Sequence, residues 1–435
     1  MPKIPSLPRP PVGPDPLRRI RMPKSIGSVT TRGEEEPARA GGLTNARVDR
    51  MWKSAVDLYR AGVHPALQLC VRRNGAVVIN RAIGHARGNG PQDPKDAPKE
   101  RATPDTPFCV YSTSKGITAL VVHMLHERGA LDIEDRIVDY IPDYGKYGKD
   151  EIQIAHVLAH RAGVTQIPKH AMELDNLSNS ELVIEALSDV KPSSRPGKSL
   201  AYHAVSGGFL LGEVVRVATG RSIREVLAEE ILDPLGFRWT NYGVAPEDVD
   251  RVGPAYVTGP PLLPPLSTLV TRALGQPLDK VIEISNDPRF LTGIVPSANL
   301  VTNAEELSRF FEIFRRGGEL DGVRVMEPET LRRALTEQSR LEIDLSLLFP
   351  TRFSYGLMLG AQVISLYGLD TQHAFGHLGL INIMGWADPE RGISAALITS
   401  GKAIVYPEVA RFYGVMQTIT SESPKLPRSE WPFEA

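Results

Sequence analysis

The chain has 435 residues, of which 42% are hydrophobic and 23% charged, and its formal net charge is −1. This composition excludes a mainly disordered or collagen-like chain, and the length suffices for two or three domains around a large core. The balanced charge gives no indication of a nucleic-acid-binding protein, and two cysteines are too few for a disulfide framework. Because we find neither a long apolar run nor a signal peptide, we expect no transmembrane segment and a cytoplasmic location.

The first segment is rich in proline. Residues 1–40 hold nine prolines, with eight basic and four acidic residues. Such a segment favours an extended or disordered arm, and an arm that wraps the body or serves a partner is the alternative. We assign residues 1–42 to this arm.

The globular pattern begins near Leu43, with a helix predicted over 44–60. Two apolar runs, ALQLCVRR and AVVINRAIG, then flank Asn74-Gly75. This dipeptide favours the positive φ angles of a tight turn, so the runs predict a β-hairpin. A long helix is predicted from Ser112 to Arg128, since its apolar residues recur at helical spacing and Gly129 follows it.

The middle of the chain is mostly helical in pattern, whereas its last third returns to strands. Helices are predicted at 151–160, 180–188, 207–218, 223–232 and 303–316, and the proline-rich stretch 254–290 is predicted to be irregular. Strands are predicted at 353–359, 373–379, 382–388 and 392–399, before a final helix at 407–418.

Strands at both ends of the chain indicate one sheet with a helical insertion, an α/β (α+β) fold. We therefore predict a sheet domain from residues 43–110 and 300–435. Residues 111–299 are predicted to form a mostly helical domain.

The first candidate site is the S-x-x-K sequence from Ser112 to Lys115 at the start of the long helix. Residues three apart share a helix face, so the lysine can take the proton of the serine once burial lowers the pKa of its amine. The alternative is a helix cap beside a solvated lysine.

Two further sites accompany this pair. Tyr202 can relay a proton, or be a packing aromatic. His377-Leu378-Gly379 ends an apolar run, and the N–H of Leu380 could form an oxyanion hole with that of Ser112. The alternative there is an edge-strand histidine and a turn glycine.

The order S-x-x-K, Tyr, H-x-G resembles the serine β-lactamase-like superfamily of class C β-lactamases, D-alanyl-D-alanine carboxypeptidases and family VIII esterases. The segments PFCVYSTSKGITALVVHMLHERGALDIEDRIVDYIPDYG, HVLAHRAGV and YHAVSGGFLLGEVV also resemble that superfamily. The similarity covers roughly residues 48–420. It implies an antiparallel sheet flanked by helices, with a mostly helical second domain.

The resemblance implies that Ser112 is acylated, that Lys115 is its base and that Tyr202 transfers protons. His377 and Gly379 would line the substrate site in the place of a K-T-G lysine and glycine. Ala204 stands where class C β-lactamases carry an asparagine that contacts the substrate amide. These two departures favour an ester over an anionic amide.

The sequence thus predicts a serine carboxylic-ester hydrolase that acts on small-molecule esters without cofactor or metal. A β-lactamase or D-alanyl peptidase, or a catalytically silent scaffold, are the alternatives. Ser206, in a degenerate nucleophile elbow, is the competing nucleophile. The natural substrate and the oligomeric state stay open.

Overall fold

The computed structural model describes residues 15–339, 342–404 and 408–431. In these ranges the α-helices are α1 (Asn45–Tyr59), α2 (Thr113–Glu127), α3 (Ile137–Tyr140), α4 (Ile154–Leu158), α5 (Leu174–Leu177), α6 (Ser180–Ser188), α7 (Ser206–Thr219), α8 (Ile223–Leu227), α9 (Leu266–Leu274), α10 (Leu278–Ser285), α11 (Pro288–Thr292), α12 (Ala304–Arg315), α13 (Pro328–Ala334) and α14 (Glu408–Glu422). The strands are β1 (Thr30–Arg32), β2 (Ala66–Arg73), β3 (Ala76–Arg87), β4 (Glu100–Arg101), β5 (Phe108–Cys109), β6 (Asn241–Tyr242), β7 (Leu300–Thr302), β8 (Glu319–Leu320), β9 (Val323–Arg324), β10 (Met358–Leu359), β11 (Ile364–Ser365), β12 (Gly368–Leu369), β13 (Phe375–Gly379), β14 (Ile383–Asp388) and β15 (Ile393–Thr399).

The main sheet joins the two ends of the chain. Its order is β1-β3-β2-β15-β14-β13-β10, with β4 paired to β3, and its pairs are antiparallel. The central contact sets β2 against β15, with Cys70 opposite Ala396. This confirms the predicted antiparallel sheet flanked by helices.

Each central strand contributes to two cores because its side chains alternate between faces. Leu67, Leu69 and Val71 of β2 pack in a cluster with residues of α1 and α14, whereas Cys70 belongs to the larger cluster on the opposite face. That larger cluster also contains α2, α12 and the central helices. The division into two domains stays a prediction, since this core is continuous across the predicted boundaries.

The hairpin between β2 and β3 forms where Asn74-Gly75 predicts it. Asn74 has φ +52° and Gly75 has φ +88°, both in the left-handed region that such a turn requires.

The N-terminal segment packs on the body from Asp15 onwards, so its described part is not a disordered arm. The Ile20 side chain is fully buried, and its backbone N–H donates to the carbonyl of Gly62 at 2.8 Å. β1 extends the sheet by pairing Thr30 with Ile83. The chain follows the wrapping alternative here, while residues 1–14 lie outside the described ranges.

The stretch 254–290 is not irregular throughout, because it contains α9, α10 and the start of α11. Its prolines do not interrupt these helices. Pro265 and Pro277 are N-caps of α9 and α10, and Pro288 occupies the first turn of α11. Proline is tolerated there since those N–H groups have no partner within the helix. The predicted strand 353–359 is also shorter, with only β10 in the sheet.

In the described ranges, every helix is too short or too polar to span a membrane.

Candidate active site

Ser112 sits where a short strand turns into a helix. β5 pairs with β7 in a small sheet, and the chain then reverses at Tyr111, which has φ +50°. The Tyr111 hydroxyl is 2.7 Å from Ser285 Oγ, and this contact holds the turn. α2 begins directly afterwards with Ser112 as its N-cap residue. The serine is therefore presented by a fixed turn, with its side chain half-buried.

The predicted Ser112–Lys115 contact is present. Lys115 Nζ lies 3.1 Å from Ser112 Oγ and donates to the carbonyl of Ser297 at 2.9 Å. Burial lowers the pKa of Lys115 to about 7, so much of the amine is neutral near neutral pH. A neutral amine has a lone pair that can accept the serine proton. The solvated-lysine alternative does not apply.

Tyr202 completes the group. Lys115 Nζ lies 5.0 Å from its ring centre, and the Ser112 side chain is near enough to lower the pKa of its phenol against the larger effect of burial. Burial raises the pKa of this phenol, so it stays protonated and can donate a proton. The structure thus brings the three sequence-predicted catalytic candidates together, although they come from two distant segments.

The end of β13 lies against the start of α2. Thr113 Oγ1 donates to the carbonyl of His377 at 3.3 Å. A Cβ atom at Gly379 would clash with the carbonyl oxygen of Val110 and with Thr113 Oγ1, so only glycine permits this approach. Leu380 follows at once. The oxyanion hole from the N–H groups of Ser112 and Leu380 stays a prediction that this approach favours.

His377 is fully buried and uncharged. Its Nδ1 lies 2.8 Å from the carbonyl of Leu378, and its ring centre is 6.4 Å from that of Tyr202. Burial, together with the charge of Lys115, lowers the pKa of His377 to about 3. It therefore differs from a K-T-G lysine in charge, and its substrate-binding role stays a prediction.

Ala204 and Ser206 follow the tyrosine. Ala204 is half-buried and lines a small cavity with Leu274 at the end of α9. Ser206 is fully buried in the first turn of α7, where its hydroxyl donates to the carbonyl of Val164 at 2.6 Å. This hydroxyl has a structural partner, so nothing in the geometry favours Ser206 as the nucleophile.

His160 packs beside Tyr202. Its ring centre is 4.8 Å from that of Tyr202, and its Nδ1 accepts from the backbone N–H of His203 at 3.3 Å. Burial lowers the pKa of His160 well below its usual value, so the ring is neutral. The hydrogen bond to the His203 N–H gives His160 a structural partner. Within the ranges given above, no cluster of metal-ligating side chains occurs.

Asp344 is a site residue that the sequence analysis missed. Its side chain is fully buried, and Oδ1 accepts from the backbone N–H of Tyr202 at 3.1 Å. The same oxygen accepts from the N–H groups of Ser346 and Leu347. Its charge also helps to raise the pKa of Tyr202. No short motif marks this aspartate, because it contacts the tyrosine across 142 positions.

Comparisons with known proteins show the family and the fold of this chain. The Beta-lactamase family model matches residues 48–413. The esterase/beta-lactamase LipL of Mycobacterium tuberculosis (strain ATCC 25618 / H37Rv) is 28% identical over 331 residues, which are 72% of this chain and 74% of that protein.

Two solved structures show the same fold. A penicillin-binding protein homologue from Caulobacter crescentus superposes with a TM-score of 0.72 at 24% identity, over 88% of this chain and 99% of that chain. A family VIII carboxylesterase superposes with a TM-score of 0.70 at 24% identity, over 86% of this chain and 98% of that chain. Since the family model spans well over half of the sequence, this chain belongs to the Beta-lactamase family.

Proposed function

We propose that this protein is a serine carboxylic-ester hydrolase that acts on small-molecule esters through an acyl-enzyme on Ser112. The observation that carries the proposal is the buried Lys115 amine, 3.1 Å from Ser112 Oγ, with its pKa lowered to about 7. A serine hydroxyl is a weak nucleophile until an adjacent base takes its proton.

In the acylation step, Ser112 Oγ attacks the ester carbonyl carbon and its proton passes to the neutral amine of Lys115. The carbonyl oxygen becomes an oxyanion, which the N–H groups of Ser112 and Leu380 stabilise. One such donor is typically worth about 2.7–4 kcal/mol of the barrier. When the tetrahedral intermediate collapses, the bond to the leaving alkoxide breaks.

Tyr202 serves both halves of the reaction. Its protonated hydroxyl, beside Ser112, gives a proton to the departing alkoxide and regains one from Lys115. In deacylation the same pair takes a proton from water as its oxygen attacks the acyl carbon. When the bond between the acyl carbon and Ser112 Oγ breaks, the carboxylic acid leaves and the pair returns the proton to Oγ. These steps use only side chains, backbone N–H groups and water.

Two residues favour an ester over an amide substrate. Ala204 offers no side-chain amide to a substrate amide group. His377 is neutral, so it provides no positive charge for a substrate carboxylate. The proteins similar to this chain include both an esterase/beta-lactamase and a penicillin-binding protein homologue. An amidohydrolase is therefore the second candidate, and a penicillin chromogenic assay tests it.

The function is tested by hydrolysis of p-nitrophenyl acyl esters from acetate to octanoate. Ser112→Ala should abolish turnover, while Ser206→Ala serves as the matched control and should retain it. Circular dichroism verifies the fold of both variants. Equal rates in wild type and Ser112→Ala would contradict the proposal. Hydrolysis of penicillin without turnover of any ester would favour the second candidate. If the protein hydrolyses neither, the result would favour the silent scaffold.

A further inference from the structure

The turn between β13 and β14 has a strained backbone. Its central residue, Ile381, has φ +74°, in the left-handed region that β-branched residues very seldom adopt. The N–H of Asn382 donates to the carbonyl of Leu380 at 3.0 Å, so the three residues form the rare kind of γ-turn that has a positive φ. We call residues 380–382 the strained turn. Strain of this kind persists only where the surrounding structure imposes it, and it is concentrated at functional sites.

The strained turn carries an N–H group that the proposed mechanism uses. It begins directly after Gly379, which lies so close to the carbonyl oxygen of Val110 that a Cβ atom would not fit. Among the described residues, the backbone N–H of Leu380 has no hydrogen-bond acceptor, and the same is true of Ser112. Leu380 is buried, and buried N–H groups are normally paired within the protein. The N–H of Leu380 is therefore available to an oxygen atom of a ligand.

The side chain of Asn382 fixes the strained turn to the neighbouring strand. Asn382 is fully buried, and its Nδ2 donates to the carbonyl of Gly401 at 3.1 Å. The hydroxyl of Thr399, at the end of β15, donates to Oδ1 of Asn382 at 2.8 Å and lies 3.0 Å from its backbone carbonyl oxygen. One asparagine thus connects the turn to the last residue of β15 and to the segment that follows it.

The segment that Asn382 contacts is itself held on both sides. The N–H of Ser400 donates to the carbonyl of Ala66, the first residue of β2, at 3.0 Å. The N–H of Lys402 donates to the carbonyl of Tyr256 at 2.9 Å. The carbonyl that accepts from the asparagine belongs to the residue between these two. It is therefore a fixed acceptor, and the hydrogen bond to it constrains the strained turn.

We propose that Asn382 is a positioning residue of the oxyanion hole, whose side chain holds the strained turn so that the N–H of Leu380 is directed at the carbonyl oxygen of an ester bound at Ser112. This inference rests on the proposed function, because it takes Ser112 as the nucleophile. A relaxed turn would change the direction of that N–H. Since such a donor acts on the charge that develops in the reaction, its loss should weaken binding of the transition state more than binding of the substrate.

The test uses trifluoromethyl ethyl ketone, to which a serine hydroxyl adds reversibly. Ser112 Oγ bonds to the carbonyl carbon, the hydroxyl proton passes to the neutral amine of Lys115, and the carbonyl oxygen becomes an oxyanion. Fluorine NMR measures the dissociation constant of this adduct without any need for turnover. Because a dissociation constant is a property of the folded molecules alone, a variant that merely folds in lower yield keeps the value of wild type.

The variants Asn382→Ala and Thr399→Val each remove side-chain hydrogen bonds of the strained turn. Thr399→Ser is the conservative variant, because it keeps the hydroxyl. Asn89→Ala is the matched control, since Asn89 is also fully buried and its Nδ2 donates to the carbonyl of Arg21 at the same 3.1 Å. Circular dichroism verifies the fold of each variant.

We expect Asn382→Ala and Thr399→Val to bind the ketone about tenfold or more weakly, which is part of the effect of losing an oxyanion-hole donor. Their kcat for p-nitrophenyl acetate should fall with KM unchanged, as for an interaction made only in the transition state. Thr399→Ser and Asn89→Ala should match wild type. Wild-type affinity in both loss variants, or an equal loss in Asn89→Ala, would overturn the inference. Adduct formation without ester turnover would count against the proposed function alone, whereas absence of the adduct in wild type would overturn both.

Discussion

Two buried lysines of this protein look alike in isolation and differ in what surrounds them. Burial lowers the pKa of Lys115 to about 7 and that of Lys149 to about 8. Lys149 Nζ donates to three backbone carbonyls, those of Leu187, Ser188 and Val190, at 2.8, 2.7 and 2.7 Å. Lys115 donates to one carbonyl and faces the Ser112 hydroxyl.

The comparison separates a structural lysine from a candidate base. Three carbonyl acceptors use all three N–H groups of an ammonium, so Lys149 links its own segment to the C-terminal end of α6 and to Val190. Lys115 Nζ has the Ser112 hydroxyl as its second neighbour, and the lone pair of the neutral amine can accept the proton of that hydroxyl. A lowered lysine pKa indicates that the amine is buried. The hydrogen-bond partners of the amine determine whether it has a structural role or can act as a base.

The largest expected effect is that of exchanging each lysine for methionine. Lys115→Met should lower kcat/KM for p-nitrophenyl acetate by about 10²–10⁴-fold, the usual range for a lost general base. Lys149→Met should keep its activity but lose about 1–3 kcal/mol of unfolding free energy, because buried carbonyls lose their donor. Kinetics and urea denaturation check both. Similar kinetic losses in the two variants would remove the distinction.

A substitution where β13 lies against α2 should have the second largest effect on activity. Gly379→Ala should lower kcat by about 10²–10³-fold, because the added Cβ pushes the Leu380 N–H away from the oxyanion position. Gly27→Ala is the control, since an added Cβ there meets only Ser25 Oγ, at an ordinary 3.7 Å, and the backbone is not in the left-handed region. The steady-state kcat of both variants is compared, with circular dichroism as the check on folding. Unchanged kcat in Gly379→Ala would contradict the proposed oxyanion hole.

Tyrosines provide a matched pair in the same two regions. Tyr202→Phe should lower kcat by about 10²-fold because it removes a proton donor next to Ser112. Tyr144→Phe removes a buried hydroxyl beneath Lys149, whose Nζ lies 4.5 Å from the ring centre, and should leave kcat unchanged. If both variants retain full kcat, Tyr202 is only a packing aromatic.

The smallest expected effect is the pH dependence. Lys115 acts as a base only when neutral, so kcat/KM should fall about tenfold per pH unit below its pKa of about 7 and level off above it. Lys149→Met should show the same profile as wild type, because the lysine that it removes, with a pKa of about 8, lies outside the candidate site. A profile that shifts in Lys149→Met would show that the two lysines are coupled.

The sequence predicts the local parts of this site well. The i, i+3 spacing of Ser112 and Lys115 places both on one helix face, and the structure brings them to 3.1 Å. The turn at Asn74-Gly75 is equally local. Such features depend on a few adjacent residues, whose conformations are largely fixed by sterics and hydrogen bonding.

Other parts depend on contacts that no local pattern encodes. Asp344 and the carbonyl of Ser297 reach the site only after folding, and neither belongs to a motif. The three residues of β1 are too few for a strand signal, so the sequence predicts an extended or disordered arm there. The prolines of 254–290 suggested irregularity because the helix starts that accommodate them are not visible without the structure.

The central claim is that Ser112 becomes acylated because Lys115 takes its proton. The most direct measurement is acid quenching of the enzyme during turnover of p-nitrophenyl acetate at pH 8, followed by peptide mass spectrometry. We predict one acetyl group on the peptide that contains Ser112 in wild type and Lys149→Met, and almost none in Lys115→Met. Turnover with the acetyl group on another residue, or undiminished acetylation in Lys115→Met, would contradict the account.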